Sequence, residues 1–180
     1  MAMKIYLITD THFNHVDKMA EYCQRPLNYE GIVMSAISLL PPDAVLVHLG
    51  DICIGNDERW NNALSIRCHC RRILVRGNHD KKSNQWYCNH GWDFVCEKFQ
   101  DNIYGKIILF SHKPTADNGE YDVNIHGHFH NKEHRQAEPE LVAIKNDKQR
   151  CLVLENVAYK PVALEKWLVG GGSKSQGGYR

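Results

Sequence analysis

Five short hydrophobic runs in this chain each end on a small polar motif, and the five motifs together carry Asp, Asn and His in unusual density. They read Asp10-Thr11-His12, Gly50-Asp51, Gly77-Asn78-His79-Asp80, Ser111-His112 and Gly127-His128-Phe129-His130. Apolar runs of this length, alternating with helical stretches, are the pattern of strands in an α/β sheet. In such sheets ligands gather at the C-terminal edge of the strands. Repeating strand and polar tip five times therefore directs several carboxylates and imidazoles into one crevice. Unpaired, they would repel one another and shift strongly in pKa; divalent cations remove the conflict.

The local pattern predicts the elements in turn. Lys4 to Thr9 reads as a strand, Val16 to Cys23 as a helix stopped near Arg25-Pro26, and Tyr29 to Leu40 as a helix ended by Pro41-Pro42. Asp43 to Leu49 and Arg72 to Val75 read as strands, separated by a helix over Glu58 to Ile66 with Trp60, Ala63 and Leu64 inward. Further strands are expected at Phe94 to Glu97, Lys106 to Phe110 and Asp122 to His126. Leu141 to Ile144 and Cys151 to Glu155 flank Lys145-Asn146-Asp147-Lys148 as a hairpin, and a short helix near Pro161 includes Leu164 and Trp167. Residues 1–169 are thus expected to form one domain, with 170–180 a flexible Gly/Ser-rich tail.

The 180 residues are enough for a sizeable core, and a formal charge of +1 argues against a dedicated polyanion binder while leaving room for a local basic patch. Seven cysteines, an odd number without a CxxC pair, point to reduced thiols in a cytoplasm. Cys68-His69-Cys70 lacks the second pair that a zinc site needs, so buried or surface thiols are expected there. No segment reaches the roughly 20 apolar residues of a membrane span.

Taken singly, each motif has an ordinary explanation. An Asp after a strand caps a turn, Gly-Asn-His-Asp makes a tight turn, and an HxH pair forms one polar strand face. Five of them in order, each abutting a strand end, make coincidence the poorer account. A set of carboxylate and imidazole ligands without cysteine suits Mn²⁺ first, with Fe, Zn²⁺ and Ni²⁺ as alternatives.

With these residues in view, the pattern Asp-x-His, Gly-Asp, Gly-Asn-His-Asp, a lone His after a strand and Gly-His-x-His resembles the calcineurin-like metallophosphoesterases, over Asp10 to His130. The stretches Tyr22-Cys23-Gln24-Arg25-Pro26 and Tyr159-Lys160-Pro161-Val162 resemble a compact bacterial and phage branch. The resemblance implies a four-layer α-β-β-α sandwich of two mixed sheets flanked by helices. It also implies two divalent metal ions: Asp10, His12 and His130 would hold one, Asn78, His112 and His128 the other, and Asp51 would bridge them. His79 would face the leaving group.

The reaction implied is phosphoester hydrolysis, most readily of a phosphodiester, by a metal-bridging hydroxide, with Asp51 and protonated His79 as catalytic residues. Asn78, His79 and Arg25 are the candidate substrate contacts; for Arg25 the competing reading is a helix-end residue beside Pro26. Asp80 either orients His79 or caps the following segment, the cap being preferred. His15, Lys113 and Asn131 are candidates for the rim, His48 and His126 for support behind the ligands, and Trp60 and Trp86 for packing. The expected partner is a small phosphoester or nucleotide. Processing of nucleic-acid ends and a non-catalytic binding module are the competing functions, and no membrane partner or oligomeric state is indicated.

Overall fold

The architecture follows from where the apolar residues alternate. The protein is described by a computed structural model over residues 3–131 and 147–169. Strands β1 (Ile5–Ile8), β2 (Val45–His48), β3 (Arg71–Val75) and β4 (Phe94–Cys96) lie parallel, and β9 (Val162–Ala163) adds antiparallel to β1. The sheet order is β4-β3-β2-β1-β9. A second mixed sheet has the order β5-β6-β7-β8, from β5 (Lys98–Ile103), β6 (Lys106–Ser111), β7 (Val123–His126) and β8 (Gln149–Cys151). Here β5 and β6 form an antiparallel hairpin, while β6, β7 and β8 run parallel.

Period-two alternation sorts the side chains between two cores. Leu7, Val45, Val47, Leu49 and Val75 meet Ile108, Phe110, Val123 and Ile125 between the sheets. On the other face Ile8, Leu46 and Leu74 pack under helices α1 (Val16–Cys23), α2 (Tyr29–Ser38), α3 (Asp57–Arg67) and α4 (Asn84–Asn89). Helix α5 (Leu164–Val169) contributes Leu164 and Trp167 to the core between the sheets. Each such fully buried aliphatic or aromatic side chain contributes roughly 1.5–3 kcal/mol. Both mixed sheets and the flanking helices match the expected fold class.

Four local expectations need revision. Strand β5 was not anticipated, because Lys98-Phe99-Gln100-Asp101-Asn102-Ile103 is a mostly polar edge strand whose exposure lets it dispense with the apolar pattern. Helix α4 is too short for periodicity to reveal, and its one marker is Ser83, whose Oγ accepts from Trp86 N at 3.1 Å. Cys151 to Glu155 is not one strand: the pairing runs over Gln149–Cys151, and Leu154–Val157 closes as a 3-10 turn. Helix α5 begins at Leu164, after the two residues of β9, rather than near Pro161. Residues 141–144, the first half of the expected hairpin turn (145–146) and the tail 170–180 lie outside the described residues. No helix among the described residues is long and apolar enough to cross a membrane.

Candidate metal centre

Parallel pairing brings β1, β2 and β3 level at their C-terminal ends, with Ile8 opposite His48 and His48 opposite Leu74. The chain then continues the pairing through the loops. Asp10 N donates to Gly50 O at 2.9 Å, His12 N to Asp51 O at 3.0 Å and Phe13 N to Ile52 O at 2.9 Å. The first two motifs are thus zipped together by backbone bonds. Asp10, His12, Asp51, His128 and His130 all have positive φ, between 43° and 76°. Left-handed backbone costs such residues roughly 1–2 kcal/mol each, and its concentration at these five positions marks a site where geometry overrides local preference.

Two of the motif glycines are required by close approach. A Cβ on Gly77 would collide with Asp51 Oδ1, and one on Gly127 would collide with Thr9 Oγ1 and Asp10 Oδ2. The glycine in Gly-Asn and in Gly-His is what lets the carboxylate beside it sit so near the backbone.

The expected ligands converge into two groups. Within Asp10, His12 and His130, and within Asp51, His112 and His128, the ligand atoms all lie within 4.8 Å of one another. Asp10 Oδ2 accepts from Thr9 Oγ1 at 2.7 Å and from His128 N at 2.9 Å. Asp10 Oδ1 is buried with no hydrogen-bond partner among the described residues, 3.7 Å from His12 Nε2 and 3.8 Å from His130 Nε2. In the second group His112 Nδ1–H donates to Leu49 O at 2.8 Å, since a carbonyl only accepts. Its Nε2 thereby faces Asn78 Oδ1 at 3.0 Å and His128 Nδ1 at 3.1 Å.

Asp51 stands between the groups. Its Oδ1 accepts from His79 N at 2.8 Å, while Oδ2 lies 3.4 Å from His112 Nε2 and 3.7 Å from His12 Nε2. His79 Nε2 is 4.0 Å from the same oxygen, and its side chain, 45% exposed, is the most open of the site histidines.

This arrangement passes a test of fit for divalent cations. His12 Nε2 and His130 Nε2 face each other at 3.1 Å, and Asp10 Oδ1 beside them is an orphan. A buried carboxylate oxygen without a donor is costly, and a cation among these atoms would satisfy all three. The donor set is oxygen and imidazole nitrogen, as Mn²⁺, Fe, Zn²⁺ or Ni²⁺ prefer.

In the metal-free site the histidines themselves balance the buried carboxylates. Burial opposes charge on Asp10, yet His130 and His12 hold its carboxyl well below the usual range. Burial likewise opposes charge on His112, but Asp51 and Asp10 raise it to about 9. His130 is raised to about 10 against burial, by Asp10, Cys23 and Glu155. His128 goes the other way, to about 4, through burial and the neighbouring His112. In the metal-free chain the His112 and His130 imidazoliums thus balance the buried carboxylates.

The supporting residues divide clearly. Asp80 caps backbone and makes no hydrogen bond to the His79 ring among the described residues. Its Oδ2 accepts from Asp51 N and Gly77 N, both at 2.7 Å, and its Oδ1 from Ile52 N at 3.0 Å. One buried carboxylate thus ties the Gly-Asp loop to the Gly-Asn-His-Asp loop. His48 accepts from Gly50 N at 3.1 Å through Nδ1, so Nε2 carries the proton and donates to Thr11 Oγ1 at 3.0 Å; Thr11 in turn donates to Ile52 O at 2.8 Å. Burial lowers His48 to about 3, so it stays neutral and structural. His126 is also buried, against Gly127 O at 3.0 Å and edge-on to Phe129.

Arg25 is the correction. Its side chain is 0% exposed, its Nε donates to Glu155 Oε1 at 2.8 Å, its Nη1 donates to Thr11 O at 3.2 Å, and its guanidinium lies over the Tyr29 ring. A fully buried, ion-paired guanidinium is not available to a substrate phosphate. Arg25 also explains why Cys23, His130 and Glu155, a third group within ligand distance of one another, need no metal: a cation already pairs with the carboxylate.

Of the other rim candidates, Asn131 Nδ2 donates to Cys23 O at 3.1 Å and serves structure, while His15 lies close enough to His79 and Lys18 that they, after burial, disfavour its protonation. Trp60 stacks on Phe13 and Trp86 packs against the helix-side core, as expected. Cys68 and Cys70 are buried thiols with Sγ atoms 3.2 Å apart. Thr9, Thr11 and Glu155 were not anticipated, since each acts through a contact that no local spacing signals.

Comparison with known proteins agrees with this geometry. The calcineurin-like phosphoesterase family model matches residues 3–170. An uncharacterized protein of Methanocaldococcus jannaschii, MJ1445, is 30% identical over 176 residues, covering 90% of this chain and 88% of that protein. A crystal structure of a protein of unknown function from Aquifex aeolicus, AQ665, superposes with a TM-score of 0.70 at 23% identity, covering 94% of this chain and 99% of that one, and so shares the fold. The converging motifs and the match across nearly the whole chain have one conclusion: the chain belongs to the calcineurin-like phosphoesterases, hydrolases of phosphate esters that use divalent metals.

Proposed function

We propose that the protein is a phosphodiesterase with a dinuclear metal centre, acting on a small nucleotide or other small phosphoester. Asp10, His12 and His130 would hold one cation, Asn78, His112 and His128 the other, and Asp51 would belong to both. The observation that carries this reading is the position of Asp51 Oδ2, 3.4 Å from His112 Nε2 and 3.7 Å from His12 Nε2.

Two bound cations would supply Lewis-acid activation of water and neutralise the oxygens of the phosphate. The chain supplies the rest. Asp51, fixed through Oδ1 by His79 N and at its own backbone by Asp80, keeps Oδ2 free for the centre. Neutral His48 and the Thr11 hydroxyl brace the loop behind it. His79 stands on the exposed side and holds a proton at Nε2 for the departing alkoxide as the phosphorus–oxygen ester bond breaks. Asn78 offers an amide beside His79 to orient the ester. The formal charge of +1 gives no electrostatic reason for a long polyanionic substrate.

The test is hydrolysis of an aryl phosphodiester and the matching monoester by metal-stripped protein with Mn²⁺ added back, followed by a cyclic nucleotide, a nucleotide ester and a short oligonucleotide. Metal-dependent turnover favouring the small diesters, abolished in Asp51→Ala and His112→Ala, supports the proposal. Strong preference for the oligonucleotide with a steep salt dependence would transfer it to a nuclease. Full activity of both variants without added metal would remove it.

A further inference from the structure

The buried Arg25–Glu155 pair lies directly behind one of the expected ligands. Glu155 Oε1 is 3.6 Å from His130 Nδ1, and Arg25 Nη2 is 3.2 Å from the same nitrogen. Glu155 Oε2 is buried with no hydrogen-bond partner among the described residues, so the carboxylate has accepting capacity to spare. From this geometry we infer that Glu155, anchored by Arg25, is the positioning residue for His130 in the proposed centre, an inference that rests on the two-cation reading above.

Ligation by His130 depends on which ring nitrogen holds the proton. His130 Nε2 is the nitrogen that faces Asp10 Oδ1 and His12 Nε2. For Nε2 to offer a lone pair to a cation, the ring proton must sit on Nδ1. Of the neighbours of Nδ1, a guanidinium only donates and a thiol such as Cys23 is a weak partner; a carboxylate accepts. Ligating histidines commonly give their second N–H to a carboxylate, which fixes both tautomer and ring orientation. Arg25 holds that carboxylate in place through Nε at 2.8 Å while Nη1 reaches Thr11 O at 3.2 Å. The same guanidinium therefore links the backbone between Asp10 and His12 to the support of His130. The 3-10 turn at Leu154–Val157 delivers Glu155 to this position.

Removing Glu155 alone leaves Arg25 buried without its counter-charge, a change costly for folding in its own right. The decisive variant is therefore the double substitution Arg25→Met with Glu155→Gln, which removes both charges, alongside Glu155→Gln, Glu155→Asp and Cys23→Ala. Metal-stripped full-length protein is titrated with Mn²⁺, and the number and affinity of bound equivalents are read by calorimetry. Wild type and Cys23→Ala should take up two equivalents. Glu155→Gln and the double variant should bind one equivalent unchanged and the other roughly 10- to 100-fold more weakly, with partial rescue in Glu155→Asp. In Zn²⁺-loaded protein, nitrogen NMR of His130 should show a hydrogen-bonded Nδ1–H that is lost in Glu155→Gln. A folded double variant that binds both equivalents with wild-type affinity overturns the inference and leaves the centre intact. Fewer than two equivalents in the wild type overturn the two-cation reading itself, and this inference with it.

Discussion

Replacing Asp80 should be among the most damaging single changes outside the expected ligands, through stability first and metal binding second. Its two carboxylate oxygens accept three backbone N–H groups, from Asp51, Gly77 and Ile52, at 2.7, 2.7 and 3.0 Å, in a buried setting. A buried donor left without its partner costs about 1–3 kcal/mol. For Asp80→Ala, three such losses, partly offset by relaxation around the small cavity, amount to roughly 3–6 kcal/mol, against a total stability of about 5–15 kcal/mol for a domain. Asp80→Asn keeps the volume and one oxygen, enough for the Asp51 and Gly77 donors, but points an NH₂ at Ile52 N–H, so its cost is about 1–3 kcal/mol. Urea unfolding of metal-stripped protein at neutral pH reads both differences directly. An Asp80→Ala variant within about 1 kcal/mol of wild type, smaller than one lost bond, would refute the reasoning, as would Asp80→Asn proving as damaging as Asp80→Ala.

Other consequences follow from the same geometry. His79→Ala should lower kcat by roughly 10²- to 10⁴-fold while leaving metal stoichiometry unchanged, because His79 touches Asp51 Oδ1 through its backbone N rather than its ring. Gly77→Ala and Gly127→Ala should depress the melting temperature and abolish metal uptake, whereas Gly31→Ala, in α2 with nothing within 4 Å of its new methyl, should be neutral or stabilising by about 0.5–1 kcal/mol. In the metal-free chain His112 and His130, raised to about 9 and about 10, contribute stability that is complete below their unfolded value and is lost as pH rises through those folded values. His48, His126 and His128, lowered to about 3, about 4 and about 4, favour folding less and less as pH falls below about 6.5. Denaturant midpoints of metal-free protein should therefore peak near neutral pH, and loading with metal should extend the plateau to higher pH. Since the imidazoliums must give up their protons to bind a cation, calorimetry at neutral pH in buffers of different ionisation enthalpy should show proton release. Identical heats in all buffers would contradict this.

What the sequence made legible was the part written locally. The expected ligand motifs stand at strand tips because the strands that carry them are short, largely apolar runs, so side-chain chemistry and delivery are visible in the same few residues. Helix α1 was equally clear: Gln24 adopts a left-handed φ of 57° and Pro26 cannot continue the helix. Strand β5 was hidden because an edge strand exposes its backbone and polar side chains to water, and only Phe99 and Ile103 turn toward the core. Leu152, Val153 and Leu154 are buried as their hydrophobicity demands, but burial alone does not distinguish the end of a strand from a 3-10 turn. The pairing of Arg25 with Glu155 spans 130 positions and left no spacing to read; from the sequence Arg25 was either a phosphate contact or a helix-end residue beside Pro26. Asp80 was half legible, since a cap could be proposed but not which three N–H groups it would take.

Low-temperature EPR of metal-stripped protein titrated with Mn²⁺ reads whether Asp51 joins two cation sites into one centre, as proposed. The wild type should take up two equivalents and give the spectrum of a spin-coupled pair, while Asp51→Ala should lose the coupling along with activity. A single equivalent, or two with the spectrum of isolated ions in the wild type, would contradict it.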